Sequence, residues 1–116
     1  FPYTTLFRSL RITAGAVGAD GRPELGDLLR QLGAAGVNDL WVEAGPTLSA
    51  ALQAAGLVDE WVIYVAPLLL GADGRPLLGL PGPARLADAT RLAVRNVQPV
   101  GDDVRIMLRP GGAAAR

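Results

Sequence analysis

Leu40-Trp41-Val42-Glu43-Ala44-Gly45-Pro46-Thr47-Leu48 is an apolar run ending in a carboxylate, followed by a Gly-Pro step. Beyond that step Leu48, Ala51, Leu52 and Ala55 recur at helical spacing. The order predicts a buried strand over Leu40–Glu43, a tight turn, and a helix over Pro46–Ala55. Proline suits the first helical position, where its fixed φ fits and a missing N–H leaves no bond unmade. Gly45 gives the turn backbone freedom and lets another molecule approach closely. A helix N-terminus with spare N–H groups beside the carboxyl edge of a sheet is an arrangement that takes phosphate.

Downstream, the helix pattern stops at Gly56, and Trp61-Val-Ile-Tyr-Val-Ala66 follows the acidic pair Asp59-Glu60. This strand is apolar at every position, so both of its faces are expected to be covered. Strand, helix and strand in close succession predict a parallel βαβ unit with a right-handed crossover. Upstream, Leu25, Leu28, Leu29 and Leu32 form one stripe of a helix opened by Pro23-Glu24 and closed at Gly36. Asp20-Gly21 marks a turn in the loop before it, and Leu10–Thr13 reads as a short strand. Gly71 to Pro83 is rich in glycine and proline and reads as a loop. Arg91–Val97 and the alternating Val104–Arg109, joined by Gly101-Asp102-Asp103, predict an antiparallel hairpin. Arg105 and Arg109 would form its solvated face, with phosphate contact as the minor reading. The fold class is therefore α/β, a mixed sheet with a parallel βαβ unit first and an antiparallel hairpin last.

The 116 residues suit one domain or a large part of one. Eleven basic and eleven acidic residues cancel, so no global field draws nucleic acid or an anionic membrane. With no Cys and no His, zinc sites built on those ligands, Ser-His-Asp triads and Cys nucleophiles are excluded from this chain. The longest apolar run contains Pro67 and is too short to span a bilayer, and no signal peptide is visible. Residues 1–9 contain both phenylalanines and read unlike the rest, so they are expected to be a non-native leader. Residues 111–116 are expected to be a disordered tail.

Glu43, at a strand tip, is a candidate ligand for a substrate; the other reading is a helix cap or a solvated acid. Gly45, Pro46 and Thr47 line a phosphate or merely start a helix, and Leu48, Ser49, Ala50 and Ala51 extend the candidate surface, with Ala51 expected to face the sheet. Trp41 and Trp61 are expected to pack in a core or subunit interface. Asp59 and Glu60 should face solvent. Gly71-Ala-Asp-Gly-Arg75 is a turn, because one carboxylate is too few for calcium. No residue is a compelling general acid.

Gly36-Val-Asn-Asp-Leu-Trp-Val-Glu-Ala-Gly-Pro-Thr-Leu48, Ala55-Gly-Leu-Val-Asp-Glu60, Val65-Ala-Pro-Leu-Leu-Leu-Gly71, Leu80-Pro-Gly-Pro83 and Val100-Gly-Asp-Asp-Val104 occur in one order. Together they resemble the reductase domain of the bifunctional deaminase/reductase of riboflavin biosynthesis, over about Leu10 to Arg109. Ala44 stands where many relatives have a second glycine. The resemblance implies a fragment, the C-terminal part (residues 10–110), of a dihydrofolate-reductase-like fold. It implies NADPH-dependent reduction of 5-amino-6-(5-phosphoribosylamino)uracil, opening the ribose to a ribityl chain. Glu43 would contact that phosphorylated pyrimidine, and Gly45, Pro46, Thr47, Leu48, Ser49, Ala50 and Ala51 would line the NADPH phosphates. A cytoplasmic homodimer is expected of the intact protein, with neither zinc nor deaminase chemistry in this chain. The fragment alone is expected to be inactive. A related pyrimidine or pterin reductase of the same fold, or a non-catalytic oligomerisation module, are the alternatives.

Overall fold

The computed structural model describes residues 15–111. The strand expected over Leu10–Thr13, the leader and residues 112–116 lie outside them. Two compact units divide the chain, Phe1–Val42 and Glu43–Arg116.

In the first unit a tight loop precedes the first helix. Gly18 N–H donates to Arg22 O at 2.8 Å and Gly21, at φ 75°, donates to Gly18 O at 3.0 Å, so the turn expected at Asp20-Gly21 is present. Helix α1 spans Leu25–Ala34 with Glu24 as its N-cap, one residue after Pro23. Of the expected stripe, Leu32 is buried and Leu25, Leu28 and Leu29 are half-buried. The helix stops where expected. Gly36 sits at φ 87°, its N–H donates to Gly33 O at 2.9 Å, and Val37 N–H donates to Leu32 O at 3.0 Å. That pair of bonds is the Schellman closure, which needs a left-handed residue that glycine supplies without strain.

The second unit contains helix α2 (Pro46–Ala54), strand β1 (Trp61–Val65), a 3-10 turn (Leu86–Asp88), strand β2 (Leu92–Val100) and strand β3 (Asp103–Pro110). Helix α2 closes like α1, with Gly56 at φ 67° and Leu57 N–H on Leu52 O at 3.0 Å. The sheet order is β1-β3-β2, with both pairings antiparallel. The hairpin expected at the C-terminal end is observed. Val100 faces Asp103 across Gly101 and Asp102, and Gly101 at φ 61° supplies the turn conformation that matches strand twist. The register slips between Val94 and Asn96, so Arg95 is a bulged residue on β2. Alternation places Trp61, Ile63, Val65, Leu108, Ile106 and Val104 on one face, and Val62, Tyr64, Met107 and Arg105 on the other. The Trp61 indole N–H donates to Gln53 Oε1 at 2.8 Å, which ties the last turns of α2 to the start of β1.

Several expectations need correction. Residues 37–45 carry no strand pairing, and Leu40, Trp41 and Val42 are 50%, 69% and 45% exposed. A buried strand needs a ladder partner and cover on both faces, and the sheet among the described residues forms no ladder with this stretch. The parallel βαβ unit is therefore not seen among the described residues, and Trp41 is not a core residue. β1 is half-buried on both faces over Trp61–Ile63 and exposed on both at its end, where Tyr64 and Val65 lie. Glu60 is half-buried rather than solvated, because Arg109 Nε donates to its Oε2 at 3.0 Å. Arg105 is half-buried too, and its Nε is shielded from solvent with no partner among the described groups.

Candidate functional site

The site expected from the sequence lies at the start of the second unit. Glu43 is exposed there, followed by exposed Ala44 and Gly45. Gly45 is the N-cap of α2 at φ −74°, ψ 174°, extended backbone open to any residue. The conformational freedom expected of this glycine is thus not used. What its missing side chain leaves is room: a Cβ at this position would meet nothing within 4 Å. Pro46 occupies the first helical position, as expected, and no side-chain cap bond is made at this helix end. The first amides of a helix have no partner within it. Here those of Thr47 and Leu48 form a positively polarised end with no carboxylate in its first turn.

The candidate residues after Gly45 divide by position. Thr47 and Leu48 are exposed, Pro46, Ser49 and Ala51 are half-buried, and Ala50 is buried at 4%. Ala50 is thus the most enclosed residue of this segment, and Ala51, expected to face the sheet, is half-buried beside it. Ser49 turns back on its own chain. Its N–H donates to Gly45 O at 3.2 Å and its hydroxyl donates to Ala44 O at 3.4 Å. The structure therefore gathers Gly45, Thr47 and Leu48 at one open helix end and withdraws the Ala50 side chain from it.

The sequence offered no sign of one neighbour. Gly79 N–H donates to Pro46 O at 3.1 Å, and a Cβ on Gly79 would lie 3.5–3.6 Å from Pro46. A backbone contact between a loop and a helix start has no residue-type signature, so no motif announced it. The same loop continues into an open cleft of about 370 Å³ lined by Trp61, Ile63, Leu77, Leu80 and Leu92, with Gln53 and Asp88 among its polar groups. Gln53 belongs to the last turns of α2, so this cleft is away from Gly45. The Asp88 carboxylate is also taken, since Arg85 Nε and an Arg85 terminal nitrogen each donate to it at 2.9 Å. Among the described residues no cluster of three or more His, Cys, Asp or Glu could hold a metal, and no helix is long and apolar enough to cross a membrane.

The helix end thus combines uncapped amides, open space at the N-cap and an exposed carboxylate two residues before it. The amides and helix dipole suit phosphate oxygens. Glu43 suits hydroxyl or amine donors, because an ionised carboxylate only accepts.

Known proteins resemble this chain in sequence and backbone. The family model described as RibD C-terminal domain matches residues 5–106. The chain is 50% identical over 88 residues to the riboflavin biosynthesis protein RibD of Escherichia coli K12, covering 76% of this chain and 24% of that protein. It is 36% identical over 83 residues to the 5-amino-6-(5-phosphoribosylamino)uracil reductase of Buchnera aphidicola from Acyrthosiphon pisum, covering 72% of this chain and 40% of that one. Among solved structures, Acinetobacter baumannii RibD, form 1, matches with a TM-score of 0.72 at 34% identity, over 77% of this chain and 25% of that one. The chain thus spans about a quarter of the length of the RibD relatives.

Proposed function

This chain belongs to the RibD C-terminal domain family, and from that premise we propose that residues 10–110 are the C-terminal part of an NADPH-dependent reductase of riboflavin biosynthesis. The substrate is 5-amino-6-(5-phosphoribosylamino)uracil, the compound for which the Buchnera relative is named. The observation that carries this reading is the open start of α2, with no side-chain cap and no acid in its first turn, just after Glu43.

Each residue then has a physical task. The amides at the start of α2, with Gly45, Pro46, Thr47, Leu48, Ser49, Ala50 and Ala51 around them, hold the cofactor's phosphates; Ala50 takes part through its backbone. Space at Gly45 allows the pyrophosphate to come close to the chain. Glu43 accepts hydrogen bonds from the ribose hydroxyls or the pyrimidine amine and so orients the sugar carbon that is reduced. When bound, the nicotinamide supplies the hydride, and the protein's part is to position and to exclude competing water.

In the complete domain Leu40–Glu43 forms a strand parallel to β1, which gives the mixed sheet of a dihydrofolate-reductase-like fold. The exposed apolar side chains of Leu40 and Val42 support this, since an isolated surface strand has no reason to be apolar. The open edge of β1 supports it as well, since β3 takes only one side of that strand. The intact enzyme is a cytoplasmic homodimer in this reading.

The test is NADPH oxidation by the complete reductase that carries this chain, with the phosphoribosylaminouracil as substrate. Turnover that stops when Glu43→Gln is introduced supports the proposal. Preference for a pterin, or activity indifferent to Glu43, overturns it.

A further inference from the structure

We infer that Gly79 is a positioning residue for the phosphate-facing end of α2, acting through the Pro46 carbonyl. The inference rests on the reading of α2's start as the cofactor site.

Pro46 O is the first helical carbonyl of α2 and accepts Gly79 N–H at 3.1 Å. This bond joins two segments far apart in sequence, and the two backbones approach closely. A Cβ on Gly79 would lie 3.5 Å from Pro46 O and 3.6 Å from both its carbonyl carbon and its Cβ. The exposure pattern fits a strap laid on one side of the helix end. Pro46 is half-buried while Gly45, Thr47 and Leu48 on either side of it are exposed. The loop thus grips the helix start without covering the amides that face outward. Leu77, Leu78 and Leu80 of the same loop also line the cleft near Trp61. A phosphate site made of backbone amides has no side chain to adjust, so its geometry is as good as the hold on the backbone. Gly79 supplies that hold at the first residue of the helix.

The experiment is an NMR titration of the complete reductase that carries this chain with NADPH, read at the Thr47 and Leu48 amides. The unaltered chain shifts at both. Gly79→Pro, which removes the donor, weakens the apparent affinity by about tenfold, the loss expected for one hydrogen bond. Gly79→Ala keeps the donor, and its Cβ falls at ordinary contact distance, so it restores binding to the unaltered level. The Trp61 indole N–H, bonded to Gln53 at the other end of α2, reports whether the helix survives; it stays in place if Gly79 only positions. One measurement needs no substitution. By reciprocity of linkage, saturating NADPH must slow hydrogen exchange at the Gly79 amide of the unaltered chain. Exchange that is unchanged, or a Gly79→Pro chain that binds normally, overturns the inference and leaves the cofactor site standing. No shift at Thr47 and Leu48 in the unaltered chain removes the cofactor reading and this inference with it.

Discussion

Helix α1 begins under a carboxylate, and helix α2 begins under none. At α1, Glu24 accepts from Gly26 N–H at 3.3 Å and from Asp27 N–H at 2.6 Å. Asp27 adds a second acid in the first turn. At α2, Gly45 and Leu48 stand in those places and no side-chain cap forms. The two C-terminal ends, by contrast, close with the same glycine motif. A helix start attracts negative charge by about 0.3–1 kcal/mol per anion at exposed positions. α1 meets that demand from its own sequence, and α2 leaves it for an outside group. The difference separates a helix end capped by its own sequence from one left uncapped, where we propose that a ligand binds.

The sharpest way to break the comparison is at the carboxylate beside the open end. Glu43→Gln keeps the shape and removes the charge. In the complete reductase, kcat/KM for the pyrimidine falls by about 10- to 100-fold, the range for a lost hydrogen bond to a charged group. KM for NADPH stays put, because Glu43 is assigned to substrate. A proportional loss in both would place Glu43 at the cofactor instead.

A second change makes α2 resemble α1. Gly45→Asp fits without strain, since φ is −74° and a Cβ meets nothing within 4 Å. The new carboxylate caps the helix and gains about 0.5–1 kcal/mol in denaturant unfolding. It also occupies the anion's place, so NADPH affinity drops by about tenfold in the complete enzyme, roughly one charge-assisted bond. Greater stability with unchanged affinity would dissociate the helix end from the cofactor. The mirror experiment is Glu24→Ala, which costs about 1 kcal/mol of stability through loss of the N-cap and leaves NADPH binding alone.

These contrasts show what the sequence could convey. Elements held by local chemistry were legible: both helices, their glycine stops at Gly36 and Gly56, and the hairpin turned at Gly101. Each depends on residues within a few positions of one another. The Leu40–Glu43 strand has no ladder among the described residues, which the sequence could not convey because apolar character states a need for burial but not whether a partner is present. Arg105 illustrates the same limit, since its position in an alternating strand said solvent while the folded sheet half-buries it. At the site, Glu43, Gly45 and Pro46 were visible as a motif. Gly79 was not, because the hold it exerts is made entirely by backbone.

The smallest effect concerns α1 and acid. The Asp27 carboxylate lies below its ordinary range, first because Ala16 N–H donates to it at 3.0 Å, then through Gln31 and Arg30. A carboxyl held lower in the folded chain than in the unfolded one contributes stability that is complete above the unfolded value, about 3.9 for aspartate. That contribution drains away as pH falls through the depressed folded value. Unfolding of this chain should therefore become easier below about pH 4, and Asp27→Asn should remove part of that slope while leaving the neutral-pH hairpin resonances in place.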